Sequence, residues 1–399
     1  MLPLQALHRR DRPFPQKKRT TGSPFSQCRS KVGFDFFDRF CYKKTFVEAF
    51  IRSIWRGERG SLLLPFLHLL SLLYRAGLLF RDRVLPKKKV QDVGIPVISI
   101  GNLSVGGTGK TSLAERLSLY LKEKGYLPCI VTRGHKRKRG GTFFVDPSKD
   151  SPRDVGDEPL LLARKTGLPV VVSKDRAEAI RRALVRFNVN VAILDDGFQV
   201  RGLKKDLEIL ILHEKNGNSY DLLPKGPLRE GIERLKDAHI LLCKQKGVPE
   251  IVEPLVAGKP LFRLSYSPLY LFNLKTTSYL DWKALRGKRV LAFSGLGDNE
   301  GFFELLRSLG AKLVECLSFP DHHNYTKADM ARLRTFPHAE MLLTTEKDAV
   351  RLQHVELPDN LFYLSVRLAI EREEEFFSLV EERLKEKRWQ GRSTSSTQR

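Results

Sequence analysis

The sequence predicts an α/β fold in which a mostly parallel sheet carries helices on both faces. Three observations point to it. Short apolar runs at 96–100, 129–132, 169–173, 191–194, 208–212 and 239–243 alternate with stretches of helical period at 110–124, 158–166 and 176–187. Strands alternating with helices build parallel βαβ units. The first run ends in a glycine-rich turn that leads straight into a helix, and the fourth ends in two carboxylates, Asp195 and Asp196. Ligands of such sheets sit at the carboxyl ends of the strands, where both features fall.

A chain of 399 residues, 41% of them hydrophobic, can bury a sizeable core and has room for about two to three domains. Its five cysteines (Cys28, Cys41, Cys129, Cys243 and Cys316) are far apart and form no CxxC pair. That argues against a zinc site or a disulfide framework and fits a reducing compartment. The formal net charge of +24 calls for an anionic counterpart: nucleic acid, anionic lipid headgroups or a phosphorylated substrate.

In chain order, residues 1–45 read as a basic, disordered extension; a membrane-touching arm is the alternative. Residues 1–60 hold 14 Lys+Arg against 5 Asp+Glu. No apolar h-region follows Met1, so this is not a secretory signal. Residues 46–90 form the next segment, in which 61–74 is leucine-rich, carries no formal charge and is ended by Arg75. A membrane span needs about 20 apolar residues. With Arg52, Arg56, Arg59, Arg81 and Arg83 on its flanks, this stretch reads as a helix lying in a membrane surface. A buried core helix is the alternative.

The turn at 101–111 reads GNLSVGGTGKT. Strand, glycine turn and helix together are the context of a phosphate-binding loop (P-loop), in which backbone N–H groups and the helix N-terminus face the phosphates. Ser104, Val105, Gly106, Gly107, Thr108, Gly109, Lys110 and Thr111 would hold a nucleotide, with Lys110 on the outer phosphates and the Thr111 hydroxyl on Mg²⁺. Ser104 departs from the pattern, which starts with glycine. The prediction is therefore a P-loop NTPase-like domain over 91–254. A smaller C-terminal α/β unit follows over 255–390, with strands at 290–293 and 312–316, helices at 302–309, 328–335 and 370–387, and extended runs at 341–344 and 362–364. Residues 255–279 read as an irregular or antiparallel link, and 391–399 as a loose tail.

Four further groups carry chemistry. Asp195 and Asp196 stand where a P-loop protein keeps its Mg²⁺-associated acids, although a strand ending in Asp-Asp-Gly is by itself a common turn. Asp157 opens a helix, as a cap or first-turn acid, and could also take the proton of a substrate hydroxyl. Arg229 and its neighbour Glu230 lie in a Pro/Gly-stiffened loop, where the arginine could clamp a phosphate. His322 and His323 are adjacent, have no cluster of ligands nearby, and fit a catalytic or orienting histidine better than zinc. Residues 345–348, Thr-Glu-Lys-Asp, could lie beside the nucleotide or brace a hinge.

In series, these segments resemble the tetraacyldisaccharide 4′-kinases. The matching motifs are GNLSVGGTGKT (101–111), TRG (132–134), GDEP (156–159), DDGFQ (195–199), PKGPLRE (224–230), RLKDA (234–238), FPDHHNYT (319–326) and TEKDA (345–349). The resemblance covers residues 46–385. It implies transfer of the ATP γ-phosphate, with Mg²⁺, to the 4′-hydroxyl of an acylated glucosamine disaccharide 1-phosphate, at the cytoplasmic face of a bacterial inner membrane. It implies no nucleic-acid partner and no obligate protein partner. By position, Asp157 matches the base, assisted by His322 or His323; Asp195 and Asp196 match the Mg²⁺ acids; Arg229 and Glu230 match residues near the γ-phosphate and metal. Serine at position 104 is itself usual in that family. His135 and Val200 stand where tyrosine and histidine are usual, so no role of that histidine carries over. A GTPase-like switch is disfavoured because no N-K-x-D reads guanine. A nucleic-acid-binding protein is disfavoured because the basic residues are spread along the chain without a binding motif.

Overall fold

The computed structural model describes residues 54–55, 61–84, 89–212, 220–244, 251–336, 338–352 and 354–395, with side chains to residue 386. The extension at 1–45 lies outside the described residues. Among the described residues, thirteen strands form one sheet: β1 (Val97–Gly101), β2 (Pro128–Thr132), β3 (Phe143–Phe144), β4 (Val170–Val172), β5 (Val191–Asp195), β6 (Leu207–Ile211), β7 (Ile240–Cys243), β8 (Leu261–Asn273), β9 (Tyr279–Asp281), β10 (Arg289–Ser294), β11 (Lys312–Ser318), β12 (Met341–Thr345) and β13 (Leu361–Ile370). Their order is β11-β10-β12-β13-β8-β7-β6-β1-β5-β2-β4-β3, with β9 on β8. All pairs are parallel except β3 with β4, β8 with β13 and β8 with β9.

β1 lies between β5 and β6, with Ile100 beside both Asp195 and Ile209. Every residue of β1, β2, β5 and β6 is buried, as expected of parallel strands covered on both faces. This register brings the end of β1, where the glycine turn begins, level with Asp195 on the neighbouring strand.

Of the two expectations for residues 255–279, an irregular or an antiparallel link, the antiparallel one holds. A short helix (Glu253–Val256) leads into β8, a 13-residue strand. Leu261 to Arg263 run parallel to β7, and from Leu264 onward β8 pairs antiparallel with β13. Pro268 obscured it. Proline lacks the N–H that a ladder needs, and the β8–β13 register slips where Pro268 meets Val366. β13 is correspondingly longer than its apolar centre implied.

The helix Lys110–Glu123 buries Leu113, Leu117 and Leu121 against Ile98, Ile100 and Ile193. The C-terminal helix, Glu373–Ser395, returns to the same face. Phe376, Phe377, Val380 and Leu384 join that cluster, Phe377 stacks on Tyr120 at 3.7 Å, and Glu373 pairs with Arg116 at 2.8 Å. Its backbone continues past Gly391, where a loose tail was predicted, and residues 396–399 lie outside the described set.

The leucine-rich stretch forms a helix, Leu64–Arg83, with proline in its first turn. Ser71 is buried, whereas Phe66, Leu69, Leu72, Leu73, Leu79 and Phe80 are exposed. Among the described residues, no helix is long and apolar enough to cross a membrane.

Phe376 is fully buried between Phe262 and Phe377. Phe376→Ala is expected to cost about 3–5 kcal/mol of stability, read as a lower denaturant midpoint. Val185→Ala, at an exposed helix position, should leave the midpoint within about 0.5 kcal/mol.

Candidate active site

The site begins where β1 stops. A Cβ on Gly101 would stand 2.4 Å from the Phe198 Cβ, so only glycine lets the strand leave past the turn after β5. The loop then reaches Gly109, which caps the helix at φ 100°, a left-handed backbone that glycine adopts at no steric cost. Asn102, fully buried, sets the loop's inner shape. Its Nδ2 donates to Thr108 Oγ1 (3.1 Å) and Ser104 Oγ (3.4 Å), and its Oδ1 accepts from Lys110 Nζ (3.1 Å) and Arg229 Nη2 (2.6 Å). Gln199 Nε2 donates to its carbonyl at 2.8 Å. The only sign of Asn102 in the sequence is a lone amide between an apolar strand and a glycine turn.

The Arg229 loop is pinned to this turn by backbone. Val105 N donates to the Pro227 carbonyl (2.8 Å) and Arg229 N to the Leu103 carbonyl (2.7 Å). Arg229 then spans Asn102 and Asp196, reaching Asp196 Oδ1 at 3.2 Å and Oδ2 at 3.4 Å. Lys110 Nζ lies 3.5 Å from Asp196 Oδ1. Burial raises the Asp196 pKa, but Lys110 and Arg229 outweigh it and hold the carboxyl below its ordinary range. Asp196 takes this position with φ 56°, a conformation Asp tolerates better than most residues.

Asp195 is different. Its Oδ2 accepts the Thr111 hydroxyl at 3.2 Å, while its buried Oδ1 has no hydrogen-bond partner. Burial, then Glu158 and Asp196, push its pKa up to about 7, against Lys110 and Thr111. An orphaned carboxylate oxygen beside a threonine hydroxyl is a donor set suited to a divalent cation. Among the described residues, no group of three or more His, Cys, Asp or Glu is placed to hold a metal, so nucleotide oxygens would have to complete such a shell.

Glu230, grouped by position with the metal acids, has other partners. Its carboxylate receives Arg81 Nη2 at 2.9 and 3.2 Å and faces Arg234 at 3.9 Å. Arg81 belongs to the helix Leu64–Arg83. That helix also donates Ser71 Oγ to the Leu222 carbonyl and Tyr74 OH to the Arg229 carbonyl, each at 3.0 Å. The leucine-rich helix is thus fastened to the loop that carries Arg229.

Across the site, Gly156 caps the helix Asp157–Thr166 and Asp157 begins it. Asp157 Oδ2 accepts from His322 Nδ1 (2.9 Å) and lies 2.7 Å from Arg351 Nε. Burial raises the Asp157 pKa; the His322 hydrogen bond, Arg351 and Lys347 together bring it below the usual range. His322 holds a left-handed backbone, φ 62°, a strained conformation of the kind that collects at functional sites. His323 faces elsewhere. Its Nε2 meets Asp329 Oδ2 at 3.0 Å, its ring stacks on Phe319, and Asp329 forms the capping box of the helix Lys327–Arg334 with Thr326. Lys347 Nζ binds Glu158 Oε1 at 3.0 Å and lies 3.8 Å from Asp321. Val200, partly buried, packs on the apolar cluster beneath β2 and β5.

A lysine, a threonine and buried acids gathered on a glycine turn, with an arginine over them and an acid–imidazole pair across from them, define a phosphotransferase. The family model for tetraacyldisaccharide-1-P 4′-kinase (LpxK) matches residues 63–385, and the chain belongs to that family. A tetraacyldisaccharide 4′-kinase from Syntrophus aciditrophicus is 35% identical over 370 residues, covering 84% of this chain and 98% of the relative. One from Aquifex aeolicus is 40% identical over 328 residues, covering 80% and 98%. The crystal structure of Aquifex aeolicus LpxK in complex with ATP superimposes with a TM-score of 0.63 at 37% identity, covering 81% of this chain and 99% of that one.

The raised Asp195 pKa has a measurable consequence. Unfolded, an aspartate titrates near 3.9; folded, this one titrates at about 7. Between those values the folded state binds the extra proton, so stability falls as pH rises through that window. Nucleotide-free Asp195→Asn should therefore melt above wild type at pH 8, with the two converging at pH 4 by scanning calorimetry. An equal gap at both pH values would show that this carboxyl ionises without penalty.

Proposed function

We infer that this protein transfers the γ-phosphate of ATP to the 4′-hydroxyl of tetraacyldisaccharide 1-phosphate, giving the 1,4′-bisphosphate (lipid IVA) of lipid A biosynthesis. The observation that carries this is Glu158, the residue after Asp157, whose charge acts on Asp195 and is itself acted on by both Lys110 and His322; in a chain of this family it supports a donor site and an acceptor base within one cleft. In this reading residues 91–254 form the P-loop nucleotide unit and 255–390 a second unit that brings His322 to it. Residues 104–111 wrap the triphosphate, and Lys110 and Arg229 neutralise charge as the phosphoryl group moves. Asp157 receives the acceptor hydroxyl's proton through Oδ1, because His322 Nδ1 and Arg351 Nε both lie on Oδ2. His322 orients that carboxylate. His323 braces the loop.

Thr111 and Asp195, whose Oδ1 is unpartnered, would hold Mg²⁺, which when bound draws charge from the phosphate oxygens. Asp196 is committed to Lys110 and Arg229, and Glu230 to Arg81. Glu230 therefore ties down the Arg229 loop and is not a metal ligand in this reading.

The exposed leucine face of the helix Leu64–Arg83 suits the acyl boundary of the inner membrane's cytoplasmic leaflet, with Arg75 and Arg83 toward anionic headgroups. A lipid acceptor lies in that same layer.

The test is purified protein with γ-³²P-labelled ATP, Mg²⁺ and tetraacyldisaccharide 1-phosphate in detergent. Absence of labelled lipid from a folded preparation refutes the reading. Lys110→Ala should lower kcat by at least about 10²-fold. His322→Ala should lower it about 10²–10⁴-fold, whereas His323→Ala should stay within a few-fold and lower the melting temperature. Equal losses from both histidines would show that their roles are not divided this way.

Leu69→Glu with Leu73→Glu should cut vesicle co-sedimentation at least about 10-fold, because each apolar leucine contributes about 1.5–3 kcal/mol when buried. Turnover on detergent-dispersed acceptor should persist. Undiminished vesicle binding would place the membrane contact elsewhere.

A further inference from the structure

Arg351 sits in a single 3₁₀ turn, Val350–Leu352, just after the helix Glu346–Ala349. It has no role of its own in the site described above beyond lying on Asp157, yet its side chain is 2% exposed. A guanidinium is buried this deeply only when its charge is matched. Its Nε lies 2.7 Å from Asp157 Oδ2, and its Nη1 lies 3.1 Å from Asp348 Oδ1, 3.3 Å from the Gly295 carbonyl and 3.4 Å from the His323 carbonyl. Asp348, with no exposed surface, is itself immobilised by Gly295 N, Tyr325 OH, Thr345 Oγ1 and its own helix N-terminus.

The consequence is a rigid strut. One terminal nitrogen, Nη1, is anchored on three oxygens of the C-terminal half, and Nε forms an ion pair with a carboxylate of the N-terminal half. A lysine at this position would offer a single nitrogen and could not hold both sides at once. His322 Nδ1 approaches the same Oδ2, so arginine and histidine together fix the carboxylate's rotation about its Cβ–Cγ bond.

We propose that Arg351 is a positioning residue for phosphoryl transfer: it holds Oδ2 of Asp157 from the turn after β12, so that Oδ1 faces the acceptor hydroxyl. This rests on Asp157 being the base. A carboxylate free to rotate would present the wrong oxygen or misalign the hydroxyl, and misplacement by about 1 Å can cost about 10²-fold in rate. The role is separate from the charge that Arg351 contributes. Lys347 and His322 also face Asp157 with positive charge or a proton to donate, and Glu158, Asp321, His135, Lys136 and Asp348 surround the pair.

Charge and geometry can be read apart. An acting base must be ionised. Removing a neighbouring cation eases its protonation, so the acidic limb of kcat against pH moves upward, by about 1 pH unit for a contact this close. The experiment measures kcat and KM for the lipid acceptor from pH 5.5 to 9.5 with full-length wild type, Arg351→Gln, Arg351→Lys and Asp157→Asn, each checked by circular dichroism. Arg351→Gln is expected to lose at least 10-fold in kcat at pH 7, with the acidic limb displaced upward and KM within about 3-fold of wild type. Arg351→Lys keeps the charge and is the variant best able to fold; its limb should return to the wild-type position while kcat stays at least 5-fold low. Full kcat in Arg351→Lys, or an unmoved limb in a folded Arg351→Gln, overturns the proposal. Near-wild-type turnover by Asp157→Asn would instead remove the base reading on which it rests, so the two failures are distinguishable.

Discussion

One buried amide organises the glycine turn. Asn102 spends its side-chain oxygen on Lys110 and Arg229 and its amide protons on Ser104 and Thr108, while its carbonyl takes Gln199. An Asn side chain has two donors and one acceptor oxygen with two lone pairs, so its capacity is fully used. Two cations of the cleft, Lys110 and Arg229, are aimed by the same atom. Replacing it with an apolar side chain would leave both cations with Asp196 alone and would remove the oxygen that aims them. The shape of the loop and the placement of its charges are therefore a single property.

The same economy recurs between the halves of the chain. Lys165 binds Glu115 on the helix Lys110–Glu123 and Glu346 beyond β12, both at 2.8 Å; Lys347 reaches back to Glu158 at 3.0 Å; Arg351 reaches Asp157. These are partly or fully buried pairs. Their value lies less in stability, where desolvation offsets attraction, than in register: each fixes where one half sits on the other. The C-terminal helix adds an apolar counterpart by packing on the cluster beneath β1.

Much of this was legible in the sequence. Parallel strands buried on both faces leave continuous apolar runs, and glycine turns leave unmistakable spacing, so β1, β2 and β5 and the turn after β1 could be read directly. Asp157, Asp195 and Arg229 stand out as candidates because a local motif surrounds each. β8 is legible only as one of two alternatives, an irregular or an antiparallel link, because its pattern is interrupted by Pro268 and its two partners lie on opposite sides in sequence. Arg351 is hard to read for a related reason: its contact with Asp157 spans 194 positions of chain, and nothing adjacent in sequence announces it. The division between His322 and His323 could not be read from adjacency at all; a left-handed backbone at His322 sends the two rings to different partners.

The strand β8 has a consequence for how the protein can be made and divided. Because β7 and β13 each use one flank of it, neither half of the chain owns a finished sheet. Severing the chain on either side of β8 would strip one half of its border strand and uncover a row of unpaired amides, a surface prone to join neighbouring molecules. During synthesis the N-terminal half leaves the ribosome before β13 exists, so it must wait with that flank bare. The molecule is in this sense indivisible: its two α/β units are one folding event joined by a common plank.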